Sequence, residues 1–199
     1  SFVGKSAQSG EYQTAFKQLR EFKNREMLRI AARDLAHSGN VVEVIEEISS
    51  VADVCIHAVF QLCFAQLRDK HGVPYTREIT GEWEPSKFAI LGMGKLGGQE
   101  LNYSSDIDVL FVYSGEGEVF KNAPTNGKPN TSRSLSNHQF YARLSEAIIA
   151  ECTRMTSEGF LYRIDLRLRP EGKTAPLARS LTSYETYYAQ WGQTWERMM

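Results

Sequence analysis

The chain has 199 residues, of which 42% are hydrophobic and 24% charged, and a formal net charge of −1. This describes a globular protein large enough to bury a core as one large domain or two small ones, and it argues against a dedicated nucleic-acid binder, which would carry a basic excess. No stretch has a signal-peptide pattern, no apolar run approaches the ~20 residues of a membrane span, and Cys55, Cys63 and Cys152 form no CxxC pair, so a cytoplasmic protein with reduced, buried thiols is expected.

Residues 1–13 are polar and expected to fray. From Ala15 onward, Phe16, Leu19, Phe22, Met27, Ile30, Ala31 and Leu35 recur at helical spacing, and Gly39 stands where a glycine would end the helix. A second helix carries a stronger stripe, from Val41 through Ile48, Cys55 and Val59 to Cys63. It ends near His71 and Gly72, with Pro74 as a stop signal. These two helices hold no catalytic constellation. Residues 1–74 are therefore read as a helical segment that packs on a later sheet. His37, His57, His71 and His138 are scattered, without metal-ligand spacing to one another.

The rest of the chain, 75–199, reads as the core domain. Residues 75–87 look like a polar connector. Residues 88–93 form a short apolar run bounded by glycine, the pattern of a buried strand. Residues 94–98, Gly-Lys-Leu-Gly-Gly, predict a turn in which glycine allows positive φ and close approach of a ligand. Residues 100–102 predict a short helical turn, and 104–113 a second strand. Residues 114–135 are polar, without hydrophobic period, and predict a flexible loop. Ser136 and Gln139 form a capping box that opens a third helix. Residues 160–169 alternate as a strand closed by Pro170, residues 177–181 suggest another, and Thr182 with Glu185 reads as a second capping box. That box opens an aromatic helix with Tyr184, Tyr187, Tyr188, Trp191 and Trp195, whose stripe reads as core rather than as a base-stacking platform. The chain stops inside this helical pattern, so it is expected to be part of a longer protein. Together these elements give an α+β fold.

The chemistry is concentrated in a few residues. Side chains alternate along a strand, so Asp106 and Asp108 share a face, with Cα atoms roughly 6–7 Å apart. By the same alternation Asp165, Arg167 and Arg169 share a face of the 160–169 strand. If that strand lies beside the first pair, Asp165 completes a cluster of three carboxylates. Such a cluster repels itself without cations. Mg²⁺, which prefers carboxylate oxygens, water and substrate phosphates, relieves it, and two-metal phosphoryl chemistry uses this kind of clamp. Arg167 and Arg169 are then placed for an anion, and Lys95 with the backbone of the glycine turn for a phosphate. The turn is not a P-loop, because GxxxxGK[ST] is absent, and it fits a dinucleotide fingerprint poorly. Each piece is weak alone; the ordered combination is specific.

The stretch from Gly94 to Asp108 resembles the nucleotidyltransferase signature of the DNA polymerase beta superfamily, and GMGKLGGQELNYSSDIDVLF with GFLYRIDLRLRPEG resembles the glutamine synthetase adenylyltransferase family. The upstream LREFKNREMLRIAARDLA and the final YYAQWGQTWER share that resemblance, which covers the chain from about Phe16 onward. It implies a polymerase beta-like nucleotidyltransferase core, a mixed sheet with flanking helices. Enzymes of the family contain two such halves, one adding AMP to glutamine synthetase from ATP and one removing it by phosphorolysis. Met93, Asn102, Arg163 and the TWER sequence resemble the amino-terminal, adenylyl-removing half. The resemblance implies that Asp106, Asp108 and Asp165 are catalytic metal ligands for Mg²⁺ or Mn²⁺. Gly94, Lys95, Gly97, Gly98 and Ser105 would form the nucleotide and phosphate side, with Arg167 and Arg169 as anion contacts. It further implies ATP or ADP and inorganic phosphate as substrates, glutamine synthetase as the protein partner, a PII-type signal protein acting through regions outside this chain, and neither nucleic acid nor membrane. Lys95 stands where the superfamily often has Ser, residues 114–135 are longer than expected, and Ala175 replaces an expected glycine. Two other readings remain: ATP-dependent adenylylation, and a catalytically silent module that senses nucleotide or docks a partner.

Overall fold

The computed structural model describes residues 12–77, 81–124, 135–172, 175–194 and 196. They form an α+β fold: α1 (Tyr12–Leu35), α2 (Val41–His71), β1 (Val73–Arg77), β2 (Trp83–Pro85), β3 (Phe88–Gly92), the single turn α3 (Gly94–Gly97), β4 (Ile107–Tyr113), β5 (Gly117–Phe120), α4 (Asn137–Thr153), β6 (Ile164–Asp165), β7 (Ala178–Ser180) and α5 (Leu181–Gln190). The chain divides into two compact units that interleave in sequence. One comprises the chain to Cys63 with Gly92–Asp108 and Ile148–Asp165; the other comprises Phe64–Leu91, Val109–Ala147 and the chain from Leu166 onward.

The first unit is helical around its core. Phe16, Leu19 and Ile30 of α1, Ile48, Cys55, Val59 and Leu62 of α2, and Ile148 and Cys152 of α4 are buried together with Leu96, Leu101, Ile107 and Leu161. Arg20 is also buried; its guanidinium donates to the carbonyls of Phe16 (3.2 Å) and Glu151 (2.9 Å) and pairs with the Glu151 carboxylate at 3.5 Å. Helix α1 ends at a left-handed residue, but that residue is His37 (φ 52°) rather than the expected Gly39. The amide of Ser38 bonds to the carbonyl of Arg33 and that of His37 to Asp34, the double bond of a Schellman end. Helix α2 corrects the expectation that no apolar run approaches a membrane span. By length and composition it could cross one, yet most of its apolar stretch is buried, as in the core helix of a globular unit. Burial pushes the thiols of Cys55 and Cys63 up to about 12 and raises that of Cys152 as well, so all three stay protonated.

The second unit carries a three-stranded sheet in the order β2-β1-β5, antiparallel throughout. The 75–87 connector and the 114–135 loop thus each contain a strand: Tyr75 pairs with Pro85 on one side and Glu118 on the other. Residues 125–134 lie outside the described residues. Helix α2 ends at His71, as expected, and Pro74 just beyond it sits within β1, opposite Val119. Aromatic rings fill the space against α4: Tyr141 stacks on Phe88 (5.1 Å) and Tyr113 (4.8 Å), and Phe88 on Phe111 (5.9 Å). The capping box at the start of α4 is present as read. The Ser136 amide donates to Gln139 Oε1 and the Gln139 amide to Ser136 Oγ, both at 3.2 Å. The second box is absent: α5 begins at Leu181, its cap is Ser180, and no side chain bonds the cap amides.

A second sheet has the order β3-β4-β6, with β7 also pairing β4. Bonds from the Met93 amide to the Asp108 carbonyl (2.8 Å) and from the Ser114 amide to the Lys87 carbonyl (2.9 Å) bracket β3 along the length of β4. Both β6 and β7 run parallel to β4, β6 at Ile107 and Asp108 and β7 from Phe111 to Tyr113. Strand β6 is two residues long, not the ten expected over 160–169: the chain turns after Asp165, and in the same register Leu168 and Arg169 would fall opposite Phe111 and Val112, which pair with β7.

Candidate functional site

The candidate residues fall into three groups, and the first is the glycine turn. Helical structure begins at Gly94, several residues before the expected 100–102. The amides of Gly97, Gly98, Gln99 and Glu100 bond back to the carbonyls of Met93, Gly94, Leu96 and Lys95. Gly94 has φ +52°, and a Cβ there would lie 3.1 Å from Oδ2 of Asp108; a Cβ on Gly97 would lie 2.6 Å from the Gly92 carbonyl oxygen. Glycine is thus required at both positions, at Gly94 by the backbone and by the carboxylate it faces. Gly98 has an ordinary right-handed backbone. Lys95 is exposed.

This turn is fixed by side chains that the sequence reading passed over. Ser49 of α2 accepts the amide of Leu101 on its Oγ at 3.1 Å, and Asp53 accepts Gln99 Nε2 at 3.1 Å. Tyr103 donates its hydroxyl to Asp34 of α1 at 3.1 Å. Leu96 and Leu101 are buried on either side of the glycines. The two helices therefore act on the site as scaffolding.

The second group is the carboxylates. Ile107 pairs with Ile164 and Asp108 with Asp165 across the parallel ladder. Paired residues of neighbouring strands project to the same face, so Asp108 and Asp165 stand side by side while Ile107 points to the core with no exposed surface. Asp106 lies just before β4, in the approach to the strand. Its Oδ1 accepts the Nε of Arg163 at 2.5 Å, and the same guanidinium donates to the Ser104 carbonyl at 3.1 Å. The Ile107 amide bonds to the Arg163 carbonyl at 2.9 Å, which continues the ladder one step and sets residue 163 beside residue 106. Ser105 closes the approach: its Oγ accepts the Asn102 amide at 3.1 Å.

The third group is Arg167 and Arg169, and the strand expected to carry them is shorter than read. Arg167 and Arg169 do not continue a strand from Asp165. The chain turns at Leu166, whose carbonyl accepts both the amide (3.2 Å) and the Nη1 (3.1 Å) of Arg169, and the Gly172 amide bonds to Arg169. Strand alternation therefore does not bring the two arginines onto the carboxylate face.

The donor set fits a hard divalent cation in kind: two adjacent carboxylates, a third two residues away, and no sulfur or imidazole among them. Among the described residues, however, no three His, Cys, Asp or Glu side chains are assembled as a metal-holding group. Asp106 is turned onto Arg163 instead.

A model of the glutamate-ammonia ligase adenylyltransferase family matches residues 4–199. A protein of Nitrosococcus oceani is 40% identical over 179 residues, covering 90% of this chain and 17% of that protein. One of Vibrio parahaemolyticus is 40% identical, covering 90% of this chain and 18% of its own length, and one of Pseudomonas aeruginosa is 39% identical, with 91% and 17% covered. Each of the three is named a bifunctional glutamine synthetase adenylyltransferase/adenylyl-removing enzyme. The chain thus spans less than a fifth of the length of these relatives.

Proposed function

Because the chain belongs to the glutamate-ammonia ligase adenylyltransferase family, we propose that it carries a divalent-metal-dependent nucleotidyl-transfer site acting on glutamine synthetase in the cytoplasm, and that its direction is removal of AMP. The observation that carries this reading is the ladder pairing of Asp108 with Asp165, beside a glycine turn whose first residue faces the Asp108 carboxylate.

Asp106, Asp108 and Asp165 are the residues that would hold the cation, Mg²⁺ or Mn²⁺. When bound, it offsets the carboxylates' charge and polarises the phosphoryl oxygens of the substrate. The chain's own residues supply position. Gly94, by lacking a Cβ, does not crowd Oδ2 of Asp108. Lys95, exposed on the next residue, meets the phosphate's charge. Leu96 and Leu101 anchor the turn, so the approach to the carboxylates does not have to be ordered at each turnover. In the reaction, an oxygen of inorganic phosphate bonds to the phosphorus of the AMP group. The bond from that phosphorus to the protein-side oxygen breaks, ADP leaves, and the protein-side oxygen takes up a proton.

Adenylylated glutamine synthetase incubated with the chain, phosphate and Mg²⁺ should yield ADP, and the double variant Asp106→Asn with Asp108→Asn should yield none. Transfer of label from ATP to unmodified glutamine synthetase, with no phosphate-driven release, would reverse the direction. Equal release by wild type and the double variant would overturn the site.

A further inference from the structure

The cation paired with Asp106 is a side chain that the proposed reaction leaves without a role. Arg163 stands one ladder step before the pair Ile107–Ile164. Its backbone is held independently of its side chain, by the bond from the Ile107 amide to its carbonyl. Its guanidinium is held by two contacts within a single turn, to Asp106 Oδ1 and to the Ser104 carbonyl. Both partners of the ion pair face water: the Arg163 side chain is 62% exposed and that of Asp106 46%. The chain can therefore release this guanidinium without disturbing the ladder, and it gives up only a solvated, salt-screened pair in doing so.

We infer that Arg163 is a stand-in cation for the carboxylate site, holding Asp106 while no divalent ion is bound and leaving it when one binds. The inference rests on the reading of Asp106, Asp108 and Asp165 as ligands. Without a cation, three carboxylates within two ladder steps of each other repel. Arg163 supplies the positive charge nearest to Asp106 and keeps that carboxylate ordered. A small hard cation needs a carboxylate oxygen at about 2.0–2.1 Å. Arg163 takes Oδ1 of Asp106, and two cations on one carboxylate oppose each other. The two occupants of Asp106 are therefore linked, and each lowers the affinity of the other by the same factor. This also accounts for the incomplete ligand set: the third carboxylate is present and adjacent but committed to Arg163.

The test measures Mn²⁺ binding to the full chain by electron paramagnetic resonance, with no substrate present. Arg163→Gln should bind Mn²⁺ about two- to fivefold more tightly than wild type, the range expected for losing an exposed competitor pair. Arg163→Lys, which keeps the charge but loses the two-point fork, should show part of that rise. In ¹⁵N-labelled wild type, the arginine Nε–H resonance that disappears in Arg163→Lys should shift or broaden as Mg²⁺ is added. Unchanged or weaker Mn²⁺ binding in Arg163→Gln overturns the inference. So does Arg163→Lys binding as wild type, which would leave bulk charge as the only cause, and so does an Nε–H signal indifferent to Mg²⁺. Asp108→Asn separates the two levels: it should lose Mn²⁺ binding, and if it binds as wild type the site reading itself falls and takes the inference with it.

Discussion

Two of the arginine–carboxylate pairs in the first unit share a chemistry and differ in surroundings. Arg20 and Glu151 join α1 to the end of α4 with side chains 4% and 10% exposed, and Arg154 adds a second cation to Glu151 at 2.5 Å. Arg163 and Asp106 meet at the mouth of the candidate site, largely in water. At short range the attraction between unit charges is several times stronger inside a protein than in water. Burial also removes the alternative partner, water, so the buried ions cannot part without a large desolvation cost. The exposed ions can exchange one another for solvent or for another ion at little cost. One pair is thus a fixed joint and the other a contact that can be remade, and the second is the one at the carboxylates.

The largest expected effect comes from breaking the joint. Glu151→Ala should lower unfolding stability by about 3–5 kcal/mol in urea titration, because it leaves the Arg20 charge buried and uncompensated, and Arg20→Ala should cost less, because Arg154 still pairs with Glu151. The pair is not ideally bonded, since Arg20 Nε and Glu151 Oε2 have no hydrogen-bond partner. The double replacement Arg20→Met with Glu151→Leu should therefore recover most of the loss. The thiols give a second readout. The charges of Glu151 and Arg154 act on Cys63, and those of Arg20 and Glu151 on Cys152. In wild type at pH 8 none of the three buried cysteines should react with a disulfide reagent, because burial holds them protonated. In Glu151→Ala they should react faster only in proportion to the stability lost, through more frequent opening. Full reactivity in folded wild type would remove the contrast between the two pairs.

An intermediate effect is expected at the turn that connects the scaffold to the carboxylates. Gly97→Ala forces a methyl to 2.6 Å from the Gly92 carbonyl, which should cost about 1–3 kcal/mol. Gly94→Ala combines a left-handed backbone with a contact to Asp108 and should cost about 1–2 kcal/mol. The two should separate in function: Gly94→Ala crowds the carboxylate and should abolish phosphate-driven ADP release, whereas Gly97→Ala should reduce it in proportion to the loss of folded protein. Equal effects on release would mean that Asp108 takes no part in the reaction.

Those glycines were legible in the sequence because their reason is local: a strand, a turn and a second strand follow one another within twenty residues. The capping box of Ser136 and Gln139 was legible for the same reason. What the sequence hides is pairing between distant strands. Leu166, Arg167, Leu168 and Arg169 alternate as a strand does, but a strand needs an edge, and in the β6 register Leu168 and Arg169 would fall opposite Phe111 and Val112, which β4 gives to β7. Alternation reports a propensity and cannot report that the neighbouring place is taken. Arg163 was marked by the family resemblance, but its place beside Asp106 was hidden in the same way. Only the register that sets Ile107 opposite Ile164 puts it there. The short strands β1 and β5 were masked by residues that usually mark loops, Pro74 and Gly117, and the end of α1 by a histidine in the left-handed conformation that glycine normally takes.

The smallest effect, and the one that sharpens the comparison most, is on the exposed pair. Arg163→Gln should change the stability of the metal-free protein by no more than about 1 kcal/mol, as measured for pairs in water. Whatever difference exists should shrink between low salt and about 0.5 M NaCl, where the screening length falls well below its value of about 10 Å at 0.1 M. The loss in Arg20→Ala should persist at the same salt, because mobile ions do not reach a pair buried between helices. A salt-insensitive loss of several kcal/mol in Arg163→Gln would make this contact a joint as well. The Asp106 carboxylate would then be held too firmly to be handed to another cation.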